Sequence, residues 1–512
     1  MSAEPAGTSD RRVPAGLSVA LVALLGGLHL PFPLTYDQAF ALVGARALDA
    51  GGTLYVDWWD VRQPGLFWFY RAAGRLFGFD ELGVHLLELL WMTGTAIVIL
   101  AIARRIVSRP FLAALAPLVT IGMYYAWASA WELTEPEGLA LLPLAICLLV
   151  VVQDAQPDAR VARRWLGFGL AAAIAALLKL LLVLVPATLA AVAIARLASR
   201  GGGIDACVKR RLAPAAAGFA LPLCLVLAHF AARGALGELY WTTLVAPVVT
   251  ANEIPRAAYY RLLTAAGRFV VPWLPAVPLL WLGLRRTPGA QGDPQRSLLL
   301  GWISAAAVVV LAQRLHYAAY LFLVFVVPLG LLALRGAEAA LDRLALGARA
   351  QARVAAWIVL PLLCAAAAPL GPKLLSLYDA GRAPGALGDA YREALWPAYG
   401  PALRAAEVVR AAGTRPGAAF VFGNPVIQLR SGRAQAIPLR GTALAFVLRR
   451  HWDAYAGLLE QARPPYVFVG RDVEAGIRAH APGVFALLAA RYRPIWDEAP
   501  GIWYALVEAP GD

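Results

Sequence analysis

The chain has 512 residues, 60% of them hydrophobic and 15% charged, against roughly 45–50% apolar and about 25% charged in a soluble globular protein. That balance excludes disorder and a free-standing soluble fold, and apolar runs of about 18 residues or more are long enough to cross a bilayer as helices. The net charge of +14 does not point to nucleic acid: all but three of the 46 basic residues (Lys179, Lys209 and Lys373) are arginine, and most in the first 370 residues cluster between apolar runs, without the basic arm or aromatic-interleaved motif of a nucleic-acid binder.

In chain order, Arg11 and Arg12 precede an apolar run over 13–33, which lacks a small-x-small cleavage site and reads as an uncleaved anchor with its N-terminus inside. Further runs recur at 84–103, 111–131, 138–153, 165–178, 180–197, 213–231, 268–284, 298–313, 319–334 and 354–371, giving about eleven spans. Connecting segments alternate between Arg-rich and base-poor, so the positive-inside rule places the N-terminus in the cytoplasm and everything after about residue 372 outside. Residues 165–178 give only about 21 Å of helix. Basic flanks on both sides of 165–197 nevertheless require an even number of crossings, so a tight hairpin with Lys179 at its outer tip is expected. None of the four cysteines lies in the polar C-terminal region, so no disulfide framework or zinc-type pair is expected there. From about residue 371 the composition becomes that of an ordinary globular domain. "AAFVFG" (418–423), "YVFVG" (466–470), "RYRPIW" (491–496) and "IWYALVE" (502–508) read as strands, with helical stretches at 441–462 and 472–490. The expected fold class is an all-α polytopic membrane domain (1–371, with a first extracytoplasmic loop at 34–83) followed by an extracytoplasmic α/β domain (372–512).

The outer segments concentrate charge beside the membrane. Asp37 follows the first span, and its helical spacing to Ala41 and Gly44 suggests an amphipathic helix lying on the interface. Asp57, Asp60, Arg62 and Gln63-Pro64 form a tight polar cluster ahead of the aromatic run Phe67–Tyr70. In "WELTEPEGLALLPLAICLL", Thr134 and Glu137 fit a capping box with Pro136 in the first turn, which leaves Glu132 and Glu135 unexplained. Lys179 interrupts the hairpin, and Arg314, His316 and Tyr317 sit at the outer start of a span. The segment 232–267 carries Glu238, Tyr240, Glu253, Arg256, Tyr259 and Tyr260 without a sharp motif. Acids and bases at one membrane face, on several connections, suit an enzyme acting on a lipid-anchored phosphate, since an ionised group near the acyl boundary needs a partner or a function.

In their order, the Asp after the first span, "DVRQPGLFWFYRAAGRLFG", "TEPEGLALLPLA", "LLK" and "RLHYAAYLFLVFVVPL" resemble the GT-C glycosyltransferases. More narrowly, they resemble the bacterial branch of protein mannosyltransferases and aminoarabinose transferases. The resemblance spans about residues 10–335. It implies an inner-membrane hexosyl- or pentosyltransferase that passes a sugar, with inversion, from a polyprenyl-phosphate donor to a lipid, glycan or protein acceptor, with membrane lipids around it. It assigns Asp37 as catalytic base and Glu135 as the second acid. Arg62, Lys179, Arg314, His316 and Tyr317 become phosphate-binding candidates, and Asp57 and Asp60 supporting acids. Arg62 stands where the family commonly has Lys. No cofactor follows from the residues. A divalent metal bridging acid and phosphate fits the chemistry, although Gln38 replaces the acid that often follows the first-loop Asp. The rival readings are a transporter or flippase, which would place ionisable residues at mid-span on broken, repeated helices, and a non-catalytic cell-envelope assembly protein.

Overall fold

The computed structural model describes residues 15–154, 160–199, 207–285, 293–313, 316–343, 370–381, 388–411 and 415–507. A short apolar helix, α1 (Ala15–Gly27), leads into α2 (Tyr36–Asp49) and α3 (Pro64–Phe77). Nine helices among the described residues are long and apolar enough to cross a membrane: α4 (Glu81–Ile106), α5 (Pro110–Trp127), α6 (Pro136–Gln153), α7 (Val161–Leu178), α8 (Leu180–Ser199), α9 (Val208–Ala232), α11 (Tyr259–Leu284), α12 (Pro294–Ala312) and α13 (Ala319–Arg343). Between α9 and α11 lies α10 (236–253), so the segment 232–267, which the sequence offers as a loop, is largely helical. The expected span at 354–371 falls almost wholly outside the described residues.

The weak point at 165–197 resolves simply. Helix α7 begins four residues earlier than the apolar run and takes Arg163 and Arg164 into its first turn. Its 18 residues rise about 27 Å. The chain then turns extended at Lys179 (φ −160°, ψ 116°) and starts α8. Helix α7 is locked to α9 by small residues: a Cβ on Gly169 would lie 2.0 Å from the Ala215 carbonyl oxygen, and one on Gly218 would lie 2.1 Å from that of Leu166. Such close backbone approach is how membrane helices gain packing where burial of apolar surface gives little.

Helix α2 does not lie on the membrane surface as its amphipathic spacing suggests. Gln38 through Ala45 are buried without a break, because α2 is sandwiched between α3 and the C-terminal domain. That domain contains α14 (Leu370–Gly381), α15 (Asp389–Leu395), α16 (Tyr399–Ala411), α17 (Pro425–Ser431), α18 (Arg449–Ala462), α19 (Arg471–His480) and α20 (Pro482–Arg491). Its sheet has β1 (Ala419–Phe422), β2 (Tyr466–Gly470), β3 (Tyr492–Glu498) and β4 (Gly501–Leu506) in the order β1-β2-β4-β3. The β1–β2 pair is parallel and the others antiparallel. The four strands match the four hydrophobic segments of the sequence. Helix α18, however, starts only at Arg449, and Pro482 divides 472–490 into two helices.

Buried polar tethers dock the domain on the membrane helices. The Arg430 guanidinium donates to Glu81 at 2.7 Å and to the Tyr399 hydroxyl at 2.6 Å, and Tyr399 itself donates to Glu81 at 2.8 Å. Arg46 donates to the Leu429 carbonyl at 2.8 Å, and the Trp59 N–H to that of Pro438 at 2.9 Å. Glu81 is 1% exposed, so these charge-assisted bonds work where water competes poorly.

Candidate active site

A cavity of about 1050 Å³ opens where α5, α7 and α12 end, α6, α8, α11 and α13 begin, and the C-terminal domain covers them. It brings together Asp37, Arg62, Glu135, Lys179, His316 and Tyr317. Asp57 is not at its wall; its carboxylate accepts from the Thr53 N–H at 2.7 Å in the first loop. Asp60 is fully buried behind Arg62. Arg314 lies outside the described residues.

Local sequence explains how Asp37 is presented. Thr35 caps α2, and its N–H donates to Gln38 Oε1 at 2.8 Å. The same glutamine donates from Nε2 to the Ala130 and Leu133 carbonyls at 2.7 and 2.6 Å. Gln38 thus ties the first loop to the second, leaving its neighbour Asp37 in the cavity wall. Its amide is fully committed and offers nothing to a cation. Among the described residues no group of three or more His, Cys, Asp or Glu side chains is placed to hold a metal ion.

Asp37 is one end of a chain of alternating charges. Arg62 pairs through Nη2 with Asp37 and through Nη1 with Asp60 Oδ2 at 2.7 Å. Asp60 Oδ1 lies 3.6 Å from Arg440 Nη1, a residue of the C-terminal domain. Burial pushes the Asp37 carboxyl up, but the Arg62 guanidinium, helped by Arg440 and His316, more than reverses this and holds it below the usual range. Glu135, 4% exposed at the start of α6, goes the other way: burial first, then the Asp37 charge, push it well above the usual range. Two carboxyls with opposed shifts are the arrangement that gives one acid its proton and the other its charge at neutral pH. His316 is lowered by burial, with Asp37 opposing and Arg261, Lys179 and Arg62 reinforcing, which keeps its imidazole neutral.

The capping box expected at Thr134 and Glu137 is not formed. Thr134 takes a left-handed backbone (φ 54°), its hydroxyl is bonded to that of Tyr70 at 2.7 Å, and its N–H donates to Glu88 at 3.3 Å. Glu135 becomes the N-cap residue, and Glu137, fully buried, pairs with Lys179 at 2.5 Å. Lysine is therefore charge-matched here, reaching into the fold rather than towards a membrane surface while still lining the cavity. Gly65 makes the approach possible. A Cβ there would stand 2.6 Å from the Leu177 carbonyl oxygen, so only glycine lets the first turn of α3 press against the end of α7.

Several site residues escape the sequence. Arg261 and Arg268 lie on the cavity face of α11, with Arg268 3.3 Å from Glu132. Tyr320, Arg440, Thr442 and Asp472 also line the wall. Apolar Leu180, Leu181, Leu244 and Tyr260 both line the cavity and stand exposed on the outside of the helices, so the cavity is continuous with a lipid-facing flank.

Residues 61–229 match the family model described as dolichyl-phosphate-mannose-protein mannosyltransferase. Among solved structures, the chain is similar to ArnT from Cupriavidus metallidurans, crystallised with undecaprenyl phosphate. The match has a TM-score of 0.63 at 14% identity and covers 96% of this chain and 98% of the other. No curated protein matches in sequence. These findings bear out the resemblance to the GT-C superfamily: the chain is a polytopic membrane protein of GT-C fold with a C-terminal α/β domain.

Proposed function

We propose that the chain is an inverting glycosyltransferase that moves a sugar from a polyprenyl-phosphate donor to an acceptor. The charge balance of the cavity carries this reading. Arg62 and Arg440 are matched by Asp37 and Asp60, Lys179 by Glu137, and Arg268 by Glu132. Arg261 has no acidic partner among the described residues, so the cavity holds one unmatched cation beside the neutral His316. Arg261 is exposed at the cavity, so an unmatched guanidinium stands accessible to an anion beside a lipid-facing flank. The exposed apolar flank at Leu180, Leu181 and Leu244 suits a ligand whose anionic head is attached to a long hydrocarbon. ArnT, which shares the fold, binds undecaprenyl phosphate, and a polyprenyl phosphate meets both requirements here.

The chemistry follows from the protonation states. Asp37, ionised and facing the cavity, takes the proton from an acceptor hydroxyl or amine as that group attacks the anomeric carbon. The bond from that carbon to the phosphate oxygen breaks in the same displacement, which inverts the configuration and leaves the polyprenyl phosphate as product. Charge developing on the departing phosphate is offset by Arg261, with Lys179, Tyr317 and the His316 imidazole as further donors; such preorganised stabilisation is usually the largest single contribution. Basic clusters at the far ends of the spans support a cytoplasmic N-terminus, with the site and the C-terminal domain at the outer face of the inner membrane.

The test is release of polyprenyl phosphate from a panel of polyprenyl-phosphate hexoses and pentoses, comparing the native chain with Asp37→Asn in the same membranes. Turnover of at least one donor, abolished in a folded Asp37→Asn variant, is expected. Unaffected turnover in that variant removes Asp37 as base, and no turnover of any donor returns weight to transport or assembly.

A further inference from the structure

The wall that the C-terminal domain contributes differs chemically from the rest of the cavity. Arg440 is its one cation at the cavity among the described residues, and it is occupied by Asp60 and by the Ala443 carbonyl, to which it donates at 3.2 Å. Its Nε has no partner among the described residues but is buried, and the whole side chain is 6% exposed, so an anion meets little accessible charge there. The wall instead offers the Thr442 hydroxyl and the Asp472 carboxyl, and the aromatic faces of Tyr36 and Trp131 come to it from the first two loops. Thr442 is 3% exposed, and its hydroxyl has no partner among the described residues. A buried hydroxyl left unpaired destabilises a fold, and so does the left-handed backbone of the next residue, Ala443 (φ 50°). Both features sit in one strap at the cavity wall, where strain of this kind tends to serve a site.

Beside the strap, Tyr36 hydrogen-bonds the Asp472 carboxyl, which burial holds above the usual range. The Tyr36 ring stacks on Trp131 with centroids 6.0 Å apart and planes 20° apart, and Trp396 meets Trp131 edge-on at 6.0 Å. Trp131 is nevertheless 43% exposed and lines the cavity. A tryptophan that merely anchors at headgroups would turn its ring outward to lipid; this one is pinned on one face and open on the other. A ligand with an apolar face and a rim of hydroxyls would use all of these groups at once: the open indole face, the Asp472 carboxyl and the orphaned Thr442 hydroxyl.

We propose that Trp131, Asp472 and Thr442 form a subsite for a neutral sugar ring of the acceptor, so that the acceptor is a glycan. The assignment rests on the transferase reading for its role and on the wall itself for its chemistry. Tyr36, the hinge of the subsite, directly precedes Asp37, so a ring seated on Trp131 presents its hydroxyls to the base. The donor also carries a sugar, and the experiment separates the two sources.

The full chain in lipid nanodiscs is titrated with neutral tetrasaccharides (maltotetraose, mannotetraose and chitotetraose), with binding read by saturation-transfer NMR and tryptophan fluorescence, without turnover. At least one binds at millimolar concentration. Trp131→Ala and Thr442→Val each weaken it by about tenfold or more, and a saturating polyprenyl-phosphate sugar does not displace it. Trp131 is exposed, so its variant keeps the native thermal unfolding profile, and Thr442→Val, which is nearly isosteric and removes an unpaired hydroxyl, unfolds no earlier. The proposal is overturned if no tetrasaccharide binds, if binding survives both substitutions, or if the donor displaces it, which would make this the donor sugar's place. A chain that binds the tetrasaccharide but releases no polyprenyl phosphate from any donor refutes the transferase reading and leaves the sugar subsite standing.

Discussion

Arg440→Gln tests whether the C-terminal domain is part of the active site or a passenger on it. Arg440 is 6% exposed, and its Nη1 stands 3.6 Å from Asp60 Oδ1. At an effective dielectric of about 20 that separation corresponds to about 4–5 kcal/mol of gross attraction, part of which is offset by the desolvation of both ions. Asp60 keeps Arg62 at 2.7 Å, so it is not left unpaired, and a net loss of about 2 kcal/mol is expected. The functional effect runs along the chain of charges. With Arg440 gone, Arg62 is drawn to Asp60 alone, and Asp37 loses one direct source of positive potential and part of another. A loss of about 1.4 kcal/mol in transition-state stabilisation is a tenfold drop in rate, and at least that drop is expected. The assay is polyprenyl phosphate release together with thermal unfolding of the full chain. Arg478→Gln serves as control, because its pair with Glu474 is more than half exposed on the arginine side and exposed pairs contribute about 0–1 kcal/mol. If Arg440→Gln matches the control in both rate and unfolding, the charge chain does not operate.

Lys179→Met leaves Glu137 buried and unpaired, at a cost of about 3–5 kcal/mol; adding Glu137→Gln should restore much of the unfolding temperature but not the activity. The pH–rate profile has a sign fixed by the proposed base, Asp37: its carboxyl is depressed, so the ionised form is present above the ordinary carboxylate range and lost only as pH falls through the lower folded value. In Arg62→Met the burial effect is no longer overridden, and the acid limb of the profile should move upward. Glu135 is raised, so the stability linked to it is present below its unfolded value and lost as pH rises through the folded one; Glu135→Gln should remove that loss from alkaline unfolding curves. Glu88→Ala frees the Thr134 turn and should lower kcat with donor KM little changed, because it acts on the placement of Glu135.

Much of this was legible in the sequence because it rests on local pattern. The spans, the four strands and the acid after the first span follow from hydrophobic period and charge placement. What the sequence could not carry is pairing at a distance. Glu137 satisfies a capping box on paper, and only the position of Lys179 on another helix shows that the carboxylate has a better partner. Gln38 reads as a missing metal ligand, whereas its amide joins two loops. Arg440 sits just before the stretch 441–462 that reads as an ordinary helix, and nothing local marks it as the counter-ion of an aspartate near the start of the chain. The α11 arginines were discoverable: Arg261 and Arg268 are seven residues apart, two helical turns, and so share a face.

The polar residues buried among the membrane helices explain why two flexible-looking loops can hold a defined geometry. Glu88, on α4 and 1% exposed, accepts from the Tyr124 hydroxyl and the Thr134 N–H and faces His85 Nδ1 at 3.3 Å. Those contacts stabilise Thr134 in a backbone conformation that a β-branched residue rarely adopts. The left-handed turn at Thr134 is followed at once by Glu135, extended at the start of α6, so the second carboxyl is aimed by the loop's strain rather than by helix periodicity. Gln38 clamps the same loop from the other side through Ala130 and Leu133. Asp37 and Glu135 are therefore brought to one cavity by two tethers that meet on residues 130–134, and each tether is a buried polar group whose alternative is an unsatisfied one.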